Sequence, residues 1–248
     1  MRQSKRRRQQ QQRETEFHGN LHMERIEAKT KNQQLAIQAF RNGNHCILKG
    51  SAGTGKTIVS LAVAIEAVVQ QGQYSKIIIL RSARSTVDIG HLPGSAKEKV
   101  EVFEPAFKDN VNKLFDDQTA YDKLKAKNVI RFESTSFLRG LTFDDAVVIV
   151  DEAQNLSRQE AHTIATRMGE NSQLIVLGDK AQLDYMKNEK SGFEWFCGIM
   201  EKVPNVAIVE FTAADVVRSG FVKQYLFAFE ADFARQQRKS TIRQLELV

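Results

Sequence analysis

Eight consecutive residues, Gly50-Ser51-Ala52-Gly53-Thr54-Gly55-Lys56-Thr57, constrain this chain more than any other feature. They satisfy the pattern G-x-x-x-x-G-K-[S/T], and both flanks have the character the pattern needs. Residues 45–49 before it read as a short apolar strand, and residues 57–71 after it form a long Ala/Val-rich stretch closed by Gly72. A loop whose successive amides close around an anion needs glycine where a Cβ would clash. A helix that begins at that anion adds its unpaired N–H groups and its dipole. Strand, glycine loop and helix in this order predict a phosphate-binding loop inside a βαβ unit. Lys56 is then expected to bridge the β- and γ-phosphates, and Thr57 to offer its hydroxyl to Mg²⁺.

The same grammar extends along the chain. Residues 76–80 (Lys-Ile-Ile-Ile-Leu), 129–132, 146–150, 173–177 and 206–211 are strand candidates. Helical spacing appears over 32–42, 97–115, 158–168 and 217–230. Alternation of this kind predicts an α/β fold, a mostly parallel sheet flanked by helices on both faces, with ligands beyond the carboxyl ends of the strands. The 57–71 stretch is apolar nearly all round, which predicts a helix packed under that sheet.

Charge divides the chain into parts. Arg2, Lys5, Arg6, Arg7, Arg8 and Arg13 lie in a stretch without acids, and these six account for the whole formal surplus of +6. A run of arginines and glutamines without apolar residues cannot bury itself, so residues 1–28 are expected to form a basic, flexible arm able to neutralise nucleic-acid phosphates. Residues 29–231 are expected to form the folded domain, and 232–248 a polar extension. Cys46 and Cys197 have no metal-ligand spacing and read as free structural thiols. The five histidines form no metal-binding cluster. No apolar run reaches the ~18 residues of a membrane span, and no apolar stretch follows the basic start, so no membrane association and a cytoplasmic setting are expected.

The segment 147–152 reads Val-Val-Ile-Val-Asp-Glu, two acids directly after a buried strand. From there Asp151 is placed to hold a metal and Glu152 to orient and deprotonate an attacking water. Alone, the pair would read more readily as a helix cap; beside a phosphate loop the two motifs complete one another. Gln182, in Gly178-Asp179-Lys180-Ala181-Gln182, is the candidate sensor of the γ-phosphate at the end of a neighbouring strand.

Together these residues resemble the PhoH-like family of P-loop ATPases, which is related to the superfamily 1 helicase core. The likeness runs over about residues 30–230. It includes Asn32-Gln33, Gly50 to Thr57, Leu92-Pro93-Gly94 with Glu98-Lys99-Val100, and Arg139-Gly140-Leu141-Thr142-Phe143. It continues through Asp151-Glu152-Ala153-Gln154-Asn155, Thr166-Arg167-Met168-Gly169, Gly178-Asp179 with Gln182-Leu183-Asp184, and Asp215-Val216-Val217-Arg218. The resemblance implies a RecA-like P-loop NTPase fold, ATP and Mg²⁺ as ligands, and RNA-linked roles in a homo-oligomer, with a hexameric ring suspected. It implies that Gln33 reads the adenine edge and that Arg218 stabilises γ-phosphate charge, from within the chain or from a neighbour. The chain departs from the family at Arg81-Ser82-Ala83-Arg84, where Arg-Pro-Ala is usual, and at Ser219, where histidine is usual.

Two aromatic groups show helical spacing. Phe193, Phe196, Ile199 and Met200, with Trp195 among them, read as a core-facing stripe, and so do Phe221, Tyr225 and Phe229. Two rivals to an ATP hydrolase remain at this stage: a nucleotide-gated nucleic-acid-binding switch with little turnover, and a P-loop kinase acting on a small acceptor.

Overall fold

The computed structural model describes residues 23, 25–82, 101–138, 140–179 and 192–245, with backbone alone for 233, 234 and 236–245. Most of the basic arm, Leu92-Pro93-Gly94 and Gln182 lie outside the described residues.

Six strands form one parallel sheet: β1 (His45–Gly50), β2 (Lys76–Arg81), β3 (Ile130–Ser134), β4 (Ala146–Asp151), β5 (Ser172–Gly178) and β6 (Val206–Phe211). Their order across the sheet is β3-β2-β4-β5-β1-β6, and every neighbouring pair is parallel. The helices are α1 (Lys31–Arg41), α2 (Lys56–Ile65, continuing as a π-turn over Glu66–Gln70), α3 (Glu104–Phe115), α4 (Ala120–Ala126), α5 (Arg158–Thr166), α6 (Gly192–Met200) and α7 (Gly220–Leu245). This is the RecA-like α/β arrangement expected from the sequence.

Side-chain alternation along the strands divides the core into two layers. Cys46, Leu48, Ile77, Ile79, Val147 and Ile149 face α1 to α4, whereas Ile47, Ile78, Leu80, Val148 and Val150 face α5 and α6. Helices on both faces explain why β4 is buried at all six positions, as a central parallel strand must be. The edge strands β3 and β6 are only partly buried. Helix α2 has a buried side chain at every position from Val59 to Ile65, as its all-round apolarity predicts. Ser157-Arg158-Gln159-Glu160 starts α5 as a reciprocal capping box.

Three expectations change. Helix α4 adds an element that the sequence pattern does not announce; seven residues with Lys123 and Lys125 facing water show too little periodicity, yet Ala120, Tyr121 and Leu124 are buried. The last helix does not stop near Glu230 but runs to Leu245. Arg, Gln, Lys and Ala are good helix formers, and polarity alone does not end a helix. Finally, Phe221 and Tyr225 do not face the core: they are 78% and 59% exposed. By contrast Phe193, Phe196 and Met200 are buried as expected, with Ile199 on the outer side of α6.

Candidate functional site

The strands end together, and their last residues form the floor of a cleft. Arg81 is the register partner of Asp151, Lys49 of Gly178, and Gly50 of Phe211, so the ends of β2, β4, β5, β1 and β6 share one edge. The cleft measures ≈ 460 Å³; Lys56, Thr57, Asp151, Glu152, Asp179 and Arg218 all line it. Residues far apart in sequence thus meet because β1 and β4 end at the same edge, with β5 between them.

The phosphate loop is shaped by close packing against its supports. Gly50 has φ +130°, and a Cβ there would collide with the carbonyl oxygen of Phe211. Gly55, at φ +82°, is the residue from which α2 starts, a conformation that favours glycine. Lys56 folds over the loop, its Nζ donating to the carbonyl oxygens of Gly50 and Ser51 at 2.7 Å each. Thr54 Oγ1 donates to the Ser51 carbonyl at 2.9 Å. Burial lowers the Lys56 pKa, while Asp179, Glu152 and Asp151 oppose that shift by attraction.

On the acidic side, burial and the neighbouring Glu152 push the Asp151 carboxyl up to about 6, against the pull of Arg81 and Lys56. Arg81 Nη1 donates to Asp151 Oδ2 at 3.0 Å, and its guanidinium lies 3.8 Å from the centre of the Phe103 ring. Glu152 has a left-handed backbone, φ +51°, which is strained for a non-glycine residue. Gln154 holds it in place. Its Nε2 donates to the Glu152 carboxylate, while its Oε1 accepts from the Asp179 amide at 3.1 Å. Gln154 is buried, so its amide ties the end of β4 to the end of β5.

The other expected residues are placed differently. Arg218 is exposed at the cleft, with its side chain packed close over Gly53. Gln33 is only 3% exposed and is not among the cleft-lining residues; it lies beneath the loop. Its Nε2 donates to the Thr54 carbonyl at 2.9 Å and its Oε1 accepts from the Lys29 amide at 2.8 Å. Asn32 ties the same helix start to Asp215 at 2.8 Å, so α1 supports both the loop and the turn after β6. Of the nucleotide-binding set, Ala52, Gly53, Thr54 and Gly55 line the cleft, while Gly50 and Ser51 do not. Ser51 donates to Glu230 of α7, and Val217 N donates to the Gly53 carbonyl at 3.2 Å.

Gln154, Arg81, Asp179 and Asn110 carry no role in the sequence reading, although all but Arg81 line the cleft and Arg81 binds Asp151. Strand register is the available signal for Arg81, because residues ending neighbouring strands are adjacent. Asn110 belongs to α3, whose placement no local pattern discloses.

Among the lining side chains, Lys56 and Arg218 stand against Asp151, Glu152 and Asp179, a formal charge of −1. An anion entering this cleft therefore needs an added cation. The Thr57 hydroxyl and the Asp151 carboxylate are hard oxygen donors suited to Mg²⁺. If Gln154 positions Glu152, Gln154→Ala should lower turnover about 10–100-fold while nucleotide affinity stays near that of the parent chain. Steady-state kinetics beside a binding titration separates the two quantities; a loss of affinity with kcat unchanged contradicts the assignment.

A family model described as "PhoH-like protein" matches residues 25–230. The chain is similar to a PhoH-like protein of Bacillus subtilis (strain 168), 32% identical over 219 residues that cover 88% of this chain and 68% of the relative. It is also 32% identical to a PhoH-like protein of Mycobacterium tuberculosis (strain H37Rv), over 82% of this chain and 58% of the relative. Protein PhoH of Escherichia coli (strain K12) is 32% identical, with the same 82% and 58% coverage. The chain thus spans between 58% and 68% of the length of these relatives. Among solved structures it is similar to the large terminase of a thermophilic bacteriophage in complex with ADP, at 14% identity. That match covers 79% of this chain and 48% of the terminase at a TM-score of 0.47, too loose to add to the fold described above.

Proposed function

The chain belongs to the PhoH-like protein family, and from that membership we propose that it binds ATP with Mg²⁺ and hydrolyses it to ADP and phosphate. The hydrolysis is coupled, in this reading, to binding or remodelling of RNA or another single-stranded nucleic acid. One observation carries the proposal: two separated motifs bring Lys56 and Thr57 together with Asp151 and Glu152 in one cleft.

Each residue has a distinct task. Lys56, freed from the Gly50 and Ser51 carbonyls, binds β- and γ-phosphate oxygens, and the loop amides between Gly50 and Thr57 hold the remainder. Thr57 and Asp151 would hold Mg²⁺, which supplies neutralising charge at the phosphate oxygens. Glu152 accepts a proton from the attacking water, and Arg218 meets charge developing on the γ-phosphate. Gln182 is the proposed γ-phosphate sensor. ATP over GTP follows the family's glutamine, Gln33, and reading the base requires its amide to leave Thr54; equal affinity for the two nucleotides would remove that choice.

A homo-oligomer, as a hexameric ring, accounts for how a core of this size completes its site, with Arg218 exposed at the cleft. Light-scattering mass with and without ATP tests the ring. Among the described residues no helix is long and apolar enough to cross a membrane, and a cytoplasmic setting remains part of the proposal.

Phosphate release from ATP and Mg²⁺ with no acceptor added tests the reaction. Release is expected, and it excludes a kinase. Single-stranded RNA is expected to stimulate it; turnover that RNA leaves unchanged favours the nucleotide-gated switch instead.

A further inference from the structure

Helix α7 spans 26 residues, about 39 Å at 1.5 Å per residue, and presents an unusual outer face. Phe221 and Tyr225 are 78% and 59% exposed, and Phe229, half-buried, continues their stripe one turn further on, while Phe227, 48% exposed, lies on the opposite side of the helix. The Tyr225 and Phe229 rings are stacked, with centroids 6.3 Å apart and planes inclined by 20°. Flat, exposed rings along a helix cost free energy in water unless something covers them.

The sequence of the same stripe indicates what covers it. At 100° per residue, positions 221, 225, 228/229, 232, 235, 239 and 243 fall on one face. They read Phe, Tyr, Ala/Phe, Asp, Arg, Lys and Arg. Arg235 is exposed, and positions 239 and 243 are placed on this face by the helical backbone. A seam for a second copy of the helix would continue apolar over further turns. After Phe229 this stripe instead carries Asp232 and then Arg235, Lys239 and Arg243, three cations against one acid, and a net positive face opposite its own copy repels. Rings followed by cations match a different ligand, one with stackable planar bases and a charged backbone.

We propose that the outer face of α7, from Phe221 through Tyr225 and Phe229 to Arg235, Lys239 and Arg243, is the platform on which single-stranded nucleic acid stacks. The proposal rests on the nucleic-acid part of the functional reading and names the surface responsible. It also gives that surface a physical link to the cleft. The Glu230 carboxylate of α7 accepts from Ser51 Oγ in the phosphate loop and from the Ala213 amide at 3.4 Å, so the platform and the loop share a hydrogen-bonded element.

Fluorescence anisotropy with a labelled single-stranded oligouridylate, using the full chain, tests it. The Phe221→Ala/Tyr225→Ala double variant is expected to bind at least about 10-fold more weakly, since each stacked base lost is a large fraction of single-strand affinity. Arg235→Ala is expected to reduce the slope of log K against log[salt] by about 0.7. Oligomer mass and ATP turnover without RNA should be unchanged, because none of these three residues touches the cleft. Unchanged affinity in the double variant overturns the platform, as does a loss of affinity accompanied by a fall in mass, which assigns the face to a second copy. If the parent chain binds no single strand at all, the nucleic-acid reading fails with it; if the parent binds and the double variant binds equally, only the surface assignment fails.

Discussion

Glu152→Gln is expected to bind Mg²⁺-ATP within a few-fold of the parent chain and to hydrolyse it about 10²–10⁴-fold more slowly, the usual contribution of a positioned general base. The substitution keeps the size of the side chain and an oxygen that can accept from Gln154 Nε2, so the local arrangement survives. What it removes is the capacity to take a proton from water. The strained backbone of Glu152, at φ +51°, is unchanged by the replacement, which confines the effect to chemistry. Single-turnover and steady-state phosphate release, set beside a nucleotide titration, measure both halves. Parental turnover in this variant removes Glu152 from the mechanism.

Lys56→Ala is expected to weaken ATP binding about 10²-fold or more. A hydrogen bond to a charged group contributes about 1.5–3 kcal/mol, Lys56 is assigned one to each of two phosphates, and each 1.4 kcal/mol is a factor of about ten. Its loss also releases the Gly50 and Ser51 carbonyls and leaves the cleft with three carboxylates against Arg218 alone. The charge change acts in the same direction as the lost contacts, because an anionic ligand then meets a more negative cleft. Equilibrium binding of a fluorescent ATP analogue reads this directly, with circular dichroism to confirm the fold. Parental affinity with an intact fold would show that phosphate is held elsewhere.

The parts of this molecule legible in its sequence are those whose physics is local. Glycines at Gly50, Gly53 and Gly55, a cation and a hydroxyl after them, and β-branched runs ending in polar residues all specify backbone shape or burial within a few residues. That is why β1 to β6 and the start of α2 fall where the sequence places them. The carboxylates of Asp151 and Glu152 are legible for the same reason, since a buried strand such as β4 delivers its last residues to one edge.

What escapes depends on pairings across the chain. Nothing near Gln154 discloses that its amide spans from Glu152 to Asp179, 25 residues on. The resemblance assigns Gln33 to a base, and only the packing of α1 under the loop reveals its contact with Thr54. The aromatic stripe on α7 shows a different limit. Periodicity says that Phe221, Tyr225 and Phe229 share a face, but the same spacing suits a face buried in the chain's own core and one offered to a partner. The charges that follow at Arg235, Lys239 and Arg243 discriminate between them, although by themselves they resemble a fraying end. Helix propensity outweighs polarity there, and the helix continues to Leu245.

Calorimetric titration of the purified chain with ATP, once with Mg²⁺ and once with EDTA, tests the central claim most directly. Saturable binding at a single site that EDTA abolishes is the expected result. Absence of binding by any nucleoside triphosphate in the presence of Mg²⁺ contradicts the account at its root.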